Sequence, residues 1–310
     1  MIFKKQIKSY LFFLLKVLIS ALLFYLALSK IDFHSLQIFW HSEKYLILIA
    51  VLGLGMLQIS LEFLRYYLSI KPELGSTIDK RLLKVFFIGY SLRFILPGSQ
   101  GEIGKMLFLP GSNRFRITSF FTEKFCFITT TVFVLSFAGS YLFPDKTLYF
   151  YSLILIVPIL STLILYMIKH PLSGKITLEE YPYTKLFLIN SVISFVHLGI
   201  ISLQYWLLLC DHGIGFLDNA AAVITVQSII LIPVTFAGLG LREVASIKIF
   251  DMFNIPSESS LSAPLLVFAL NVAIPAIIGS IIFMSMDSQI KRESFNLNAL
   301  FKAIKSRLRK

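Results

Sequence analysis

Long apolar runs, separated by short polar stretches rich in lysine and arginine, set the pattern of this chain. Each run approaches the 20 or so apolar residues that carry a helix across the hydrocarbon core. The runs at 11–28, 45–70, 120–143, 148–168, 186–210 and 263–286 predict full transmembrane helices. Two further apolar segments are interrupted: 82–109 by Pro97, Gly98, Gly101 and Gly104, and 220–250 by Pro233, Gly238 and Gly240. The basic residues before the first run, after the second, after the first broken segment and between the fourth and fifth runs fall on one side if each broken segment enters and leaves by the same face. The expectation is an all-α integral membrane protein with about six full crossings, two re-entrant broken-helix hairpins and both termini in the cytoplasm. The order span, span, hairpin, span occurs twice from opposite faces, the pattern of an inverted-topology repeat with halves at about 1–147 and 148–290. The run at 11–28 is too long for a signal-peptide core and has no small-x-small cleavage site, so it is expected to stay as the first span.

Composition supports this reading: 56% of the 310 residues are hydrophobic and 15% charged, and the mean hydropathy is +0.80. The net charge of +12 would suit nucleic acid, but the basic residues sit between spans and at the ends, which points to an anionic membrane face and away from nucleic acid. The two cysteines, Cys126 and Cys210, lie inside apolar runs and offer neither a disulfide framework nor a metal cluster.

The broken segments carry the chemistry. Proline removes a backbone donor and glycine is costly in a helix, so the first segment should stop near Pro97 and restart near Glu102. Backbone freed in this way cannot face lipid and has to line an enclosed or watery cavity. A charge at bilayer depth costs about 2.5–3.5 kcal/mol on insertion scales, so Arg93, Glu102, Lys105, Arg242 and Glu243 need partners or water. In the second segment Pro233 ends one half-helix, Gly238 and Gly240 allow a tight turn, and Arg242-Glu243 opens the next. Half-helix N-termini present free N–H groups and a positive dipole end, a seat for an anionic head group. A kinked helix that only packs, cross-linked by Arg–Glu pairs, is the alternative.

The stretches "FILPGSQGEIGKMLFL", "FFTEKFCFITT" with Glu123-Lys124, "IPVTFAGLGLREVA", "LKVLISALLFYLAL" leading to "KIDF", and Arg65 in "LEFLRYYL" resemble the lysylphosphatidylglycerol synthase transmembrane region, also called the flippase-like domain, over roughly residues 11–286. This is the membrane half of the multiple peptide resistance factor. Lys105 and Lys124 stand where the family commonly has arginine; lysine keeps the charge but not the bidentate fork. The resemblance implies movement of a lipid between leaflets of the inner membrane: aminoacylated phosphatidylglycerol, another anionic phospholipid, or a lipid-linked glycan carrier. It points to Arg65, Glu123 and Lys124 as pathway residues beside Arg93, Pro97, Gly101, Glu102, Lys105, Pro233, Gly238, Gly240, Arg242 and Glu243. Arg93, Lys105 and Arg242 would contact phosphate, and Glu102, Glu123 and Glu243 would pair with them or with a cationic head-group moiety. The aminoacyl-transfer domain of the full synthase has no counterpart after Met286, so synthase activity is not expected.

In the run at 186–210, Asn190, Ser194, His197 and Gln204 follow a near-heptad stripe, read first as interhelical hydrogen-bond glue and second as path lining. Glu62 and Arg65 are spaced to pair locally. The phenylalanines read as lipid-facing bulk. The tail at 291–310 reads as a basic amphipathic helix on anionic inner-leaflet lipid. No Walker loop, G-x-S-x-G or HExxH occurs, so no cofactor is expected. Two other functions stay open: an intramembrane enzyme acting on a lipid phosphate, and a non-transporting partner of a separate synthase or glycosyltransferase. A homo-oligomer is also compatible with the sequence.

Overall fold

The computed structural model describes residues 45–74, 80–95, 104–106, 108–109, 113–154, 156–157, 159, 182–232, 235 and 238–285. The expected span at 11–28, the 148–168 span beyond residue 159 and the tail at 291–310 lie outside these residues. The described residues are almost all helical and hold no strand, with α1 (Tyr45–Leu74), α2 (Lys80–Ile95), α3 (Asn113–Leu142), α4 (Tyr183–Leu209), α5 (Phe216–Ile230), α6 (Leu241–Phe250), α7 (Ser257–Phe268) and α8 (Ile274–Ser285). Among the described residues four stretches are long and apolar enough to cross a membrane: Tyr45–Pro72, Thr118–Leu142, Thr184–His212 and Ser257–Ser285. The protein is therefore an all-α, multi-pass membrane protein.

The last of these spans is built from α7 and α8 joined by a π-helical segment, Ala269–Ala273. Pro275, near the start of α8, has no N–H for the carbonyl four residues earlier, and its ring crowds that carbonyl. Widening the preceding turn relieves the crowding, and the π segment turns Asn271 into the protein interior.

The helices of the broken segments are too short to cross alone. At 1.5 Å per residue the 15 residues of α5 and 10 residues of α6 reach about 22 and 15 Å, against about 30 Å of hydrocarbon. They pack on one another as a helical hairpin. Between them Gly238 and Gly240 take φ of 81° and 82°, a left-handed conformation that a side chain would strain. The first broken segment departs from expectation. Beyond the end of α2 at Ile95 the next described turn is 3-10, at 104–106, where restarted α-helix was expected, and the next described α-helix begins at Asn113; Glu102 itself lies outside the described residues.

Helices α1, α3 and α4 pack mutually; α5 lies on α3 and α4; α6 lies on α5 and α7; and α2 runs along α8. One apolar core gathers Val51, Tyr205, Leu209, Val223, Val226, Phe250 and Val267. A second gathers Tyr66, Ile70, Val85, Phe86, Phe108, Phe115 and Ala276. The reading of phenylalanine as lipid-facing bulk holds for Phe121, Phe133, Phe137 and Phe195, which are exposed, and fails for Phe86, Phe108, Phe115 and Phe250, which are buried. The second core is aromatic by construction, with Phe86 meeting Phe63 and Tyr90 edge-on.

Helix α2 reaches α8 through Gly279. A Cβ built there would overlap the carbonyl oxygen of Phe87, and beside it the Ser91 hydroxyl donates to the Ala276 carbonyl at 2.6 Å. Small residues let helix backbones approach inside a membrane, where apolar side chains gain little by leaving lipid. Gly279→Ala is predicted to destabilise the protein by about 1–3 kcal/mol through overpacking. Gly199→Ala, with nothing within 4 Å of the added carbon, is predicted to leave stability unchanged or raise it by up to about 1 kcal/mol. Thermal unfolding in one detergent compares the two; equal melting temperatures for both variants would contradict the close crossing.

Candidate functional site

A polar stripe runs down α1 at Gln58, Glu62, Arg65 and Ser69, a spacing that keeps all of them on one helix face. It meets the stripe on α4 in antiparallel register. Ser69 Oγ accepts from Asn190 Nδ2 at 3.1 Å, Ser194 Oγ accepts from Arg65 Nη1 at 3.0 Å, and His197 Nε2 lies 3.3 Å from Gln58 Nε2. Gln204 Nε2 donates to the Val51 carbonyl at 3.0 Å. The expected interhelical glue is thus present, and α1 supplies its other half. Asn271 completes the seam from the π segment, donating through Nδ2 to Gln58 Oε1 at 2.7 Å and Gln204 Oε1 at 2.8 Å.

Charges collect at one end of this seam. Lys105 Nζ pairs with Glu123 Oε2 at 2.8 Å, both side chains buried. Its ammonium also lies 4.7 Å from the Tyr66 ring centre and 5.9 Å from that of Phe120. Glu62 does not pair directly with Arg65 as its spacing suggested. Its Oε2 accepts from the Tyr90 hydroxyl at 2.6 Å, and its Oε1 is 3.8 Å from His197 Nε2. Arg65 and Arg93 act on Glu62 through space, and Lys124 acts in the same way on His197. Among the described residues the cluster therefore holds Arg65, Arg93, Lys105 and Lys124 against Glu62 and Glu123. A small cavity lined by Glu62, Phe86, Gly89, Tyr90, Lys105 and Glu123 lies in it, with room for about one water molecule.

Arg65 stands out within the cluster. It is 3% exposed, nine residues before the end of α1 and so about 13 Å inside it. Its direct partners are neutral: the Ser194 hydroxyl and the face of Phe127, 4.8 Å from the guanidinium carbon. Its Nε has no hydrogen-bond partner.

The second broken segment forms a separate cluster. Glu243, with no exposed surface, accepts from the Gly240 N–H at 2.6 Å and from Arg242 Nε at 3.2 Å. The protein's own carboxylate thus occupies the seat at the N-terminus of α6 that was expected to receive an anionic head group. Arg242 lies 4.2 Å from the Phe268 ring centre. The Tyr205 hydroxyl stands in the field of Arg242 and Glu243. Tyr205 is eleven residues from Ser194 along α4, about 16 Å at helical rise, so the two charge clusters meet α4 at different levels. Pro97, Gly101, Glu102 and Pro233 lie outside the described residues. Among the described residues no three His, Cys, Asp or Glu side chains gather as a metal-ligand set.

Sequence reasoning missed Gln58, Ser69, Tyr90 and Asn271. The first two carried a signal, since with Glu62 and Arg65 they recur every three or four residues through an apolar run. Tyr90 and Asn271 carried none, because only tertiary packing brings them to the seam.

Lys105→Met leaves Glu123 ionised and buried without its partner, and is predicted to cost about 3–5 kcal/mol of stability; Lys105→Met with Glu123→Gln together should recover most of that loss. Melting temperatures of the two variants beside the wild type check this, and an equal loss in both would contradict a paired charge. No curated protein matches the chain. The description of the Lysylphosphatidylglycerol synthase TM region matches residues 13–279, which take in both charge clusters and every described helix as far as the last turns of α8. The chain belongs to the Lysylphosphatidylglycerol synthase TM region family.

Proposed function

We propose that this protein moves a phospholipid, anionic or aminoacylated, or a lipid-linked glycan carrier, between the leaflets of the inner membrane without chemically altering it. Membership of a family named for a lipid synthase's membrane region supports a lipid as the substrate. The observation that carries the reading is Arg65, a buried guanidinium inside a membrane span whose direct partners are a hydroxyl and an aromatic ring. A cation at that depth whose direct contacts are all neutral is expensive, and a head-group phosphate supplies a direct anionic partner that accepts from the unpartnered Nε. Lys105 and Arg93 take the same phosphate from the side of the first broken segment, while Glu62 and Glu123 hold the cations when no lipid is present or meet an aminoacyl ammonium when one is. Lys124 adds to the field. Arg242 and Glu243 form the corresponding station at the other level, released for a head group when their mutual pair opens.

The cavity beside Lys105 has room for about one water, so a head group enters only when α2 and the 104–106 turn part from α3. The acyl chains stay in lipid throughout. Two inverted halves, about 1–147 and 148–290, rocking on one another would present the stations to opposite faces in turn, with both termini and the basic tail at 291–310 held on the anionic cytoplasmic leaflet.

Exchange of fluorescent phosphatidylglycerol between leaflets of reconstituted vesicles tests the proposal. Protein-containing vesicles are predicted to exchange faster than empty ones. Arg65→Gln, which removes one charge-assisted hydrogen-bonding group of roughly 1.5–3 kcal/mol, should slow exchange about ten- to hundredfold. Equal rates with and without protein would overturn the proposal, and an unchanged rate in Arg65→Gln would remove Arg65 from it.

A further inference from the structure

The amide network at the centre of the bundle fixes which nitrogen of His197 carries the proton. The assignment begins at a backbone carbonyl, which can only accept. The Val51 carbonyl takes a hydrogen bond at 3.0 Å, so the atom of Gln204 facing it is the NH2, and the Gln204 oxygen points the other way. That oxygen lies 2.8 Å from Asn271, which must present its own NH2 there. The same NH2 spends its second hydrogen on Gln58 Oε1 at 2.7 Å. Gln58 is then left with its NH2 facing His197 Nε2 at 3.3 Å. A donor on one side requires an acceptor on the other, so His197 Nε2 is bare and the ring is neutral with its hydrogen on Nδ1, a nitrogen with no partner.

Adding a proton to Nε2 makes this arrangement untenable. An imidazolium N–H would face the Gln58 NH2, donor against donor, and flipping Gln58 would turn its NH2 onto the donating NH2 of Asn271. The acceptor within reach is Glu62 Oε1, 3.8 Å from Nε2 and one helical turn beyond Gln58 on the same face of α1. A charge-assisted hydrogen bond needs about 2.8 Å, so the ring and the carboxylate close by about 1 Å while the Gln58 contact opens.

We propose that His197 is a proton-binding site whose occupancy exchanges its partner from Gln58 to Glu62, and that this exchange couples head-group transfer to protonation. The coupling rests on the function proposed above; the partner exchange does not. The groups facing the site are Glu62 and Arg65 from α1, Tyr90 and Arg93 from α2, Lys105 from the 104–106 turn, Glu123, Lys124 and Cys126 from α3, and the neutral Asn271 from the π segment. The proton arrives by way of Glu62, which lines the water-sized cavity with Tyr90, and is passed to His197 Nε2; no other bond is made or broken. Two consequences follow from electrostatics. The imidazolium adds a positive charge to a cluster already rich in cations, and by engaging Glu62 it releases Arg65 and Arg93 from that carboxylate's field. Both favour an anionic head group, so falling pH promotes transfer.

Two measurements on the full chain in lipid bilayers decide the matter. In the first, the protein is labelled with 15N-histidine and read by solid-state NMR, the His197 signals being those that disappear in His197→Gln. The expected result is the Nδ1–H tautomer at alkaline pH, giving way to imidazolium on acidification. An Nε2–H tautomer, or a ring that stays neutral or stays charged throughout, would overturn the partner exchange. In the second, phosphatidylglycerol exchange in vesicles is followed against pH. The expected wild-type rate rises by up to about tenfold per unit fall in pH, the limit for one linked proton, and His197→Gln flattens the response. A wild-type rate that ignores pH, or an unaltered response in His197→Gln, would overturn the coupling and leave lipid transfer standing. No exchange at any pH would remove the transfer function and its coupling together, and the NMR result would then still decide the partner exchange.

Discussion

A polar side chain inside a membrane-spanning bundle has no water to fall back on, so its hydrogen bonds have to close within the protein. The antiparallel seam between α1 and α4 is where this chain meets that demand. Ser69 with Asn190, Arg65 with Ser194, Gln58 with His197 and Val51 with Gln204 are rungs between the same two helices. Side-chain hydrogen bonds between membrane helices average only about 0.6 kcal/mol each, but an unmet amide or guanidinium costs more than a met one gains. The rungs therefore matter most by fixing register: sliding α1 along α4 would break all four of these pairings at once. Asn271 extends the same network into the last span, so the π segment is where a third helix is locked to the pair.

Much of this architecture was legible in the sequence, because apolar run length and polar interruption are one-dimensional properties. The spans at 45–70, 120–143, 186–210 and 263–286 match α1, α3, α4 and the α7–α8 helix closely. The break ahead of Arg242 was readable from Gly238 and Gly240, whose backbone takes the left-handed conformation that glycine permits. Pairing was less accessible. Lys105 and Glu123 are 18 residues apart, and nothing in either stretch says that the lysine turns back onto α3. Glu62 and Arg65 sit at pairing distance along α1, yet the carboxylate accepts from the Tyr90 hydroxyl, which α2 brings to 2.6 Å, while Arg65 donates to Ser194. The N-terminus of α6 was expected to seat an anionic head group, whereas a carboxylate three residues after Gly240 caps its own helix first. Local geometry won there because the cap forms without any tertiary contact.

The two clusters divide the labour of holding charge inside the bilayer. Around α6 the charges cancel between neighbours, Arg242 with Glu243, and the aromatic ring of Phe268 covers the guanidinium. Around the 104–106 turn the cations exceed the carboxylates among the described residues, and one of them, Arg65, rests on neutral partners. An added anion would stabilise a cluster of this kind, which is what the proposed head-group site requires. The neutral His197 lies between that cluster and the amide network, so a single proton at its ring reaches both.

The central claim is that the cation-rich cluster holds a lipid phosphate inside the bundle. A cryo-EM structure of the protein in nanodiscs rich in phosphatidylglycerol tests it most directly. The account predicts phosphate density within hydrogen-bond distance of Arg65 Nε, between α1 and the 104–106 turn, with acyl chains leaving laterally into the bilayer. Lipid density confined to the outer surface, with Arg65 still resting on Ser194 and Phe127, would contradict it.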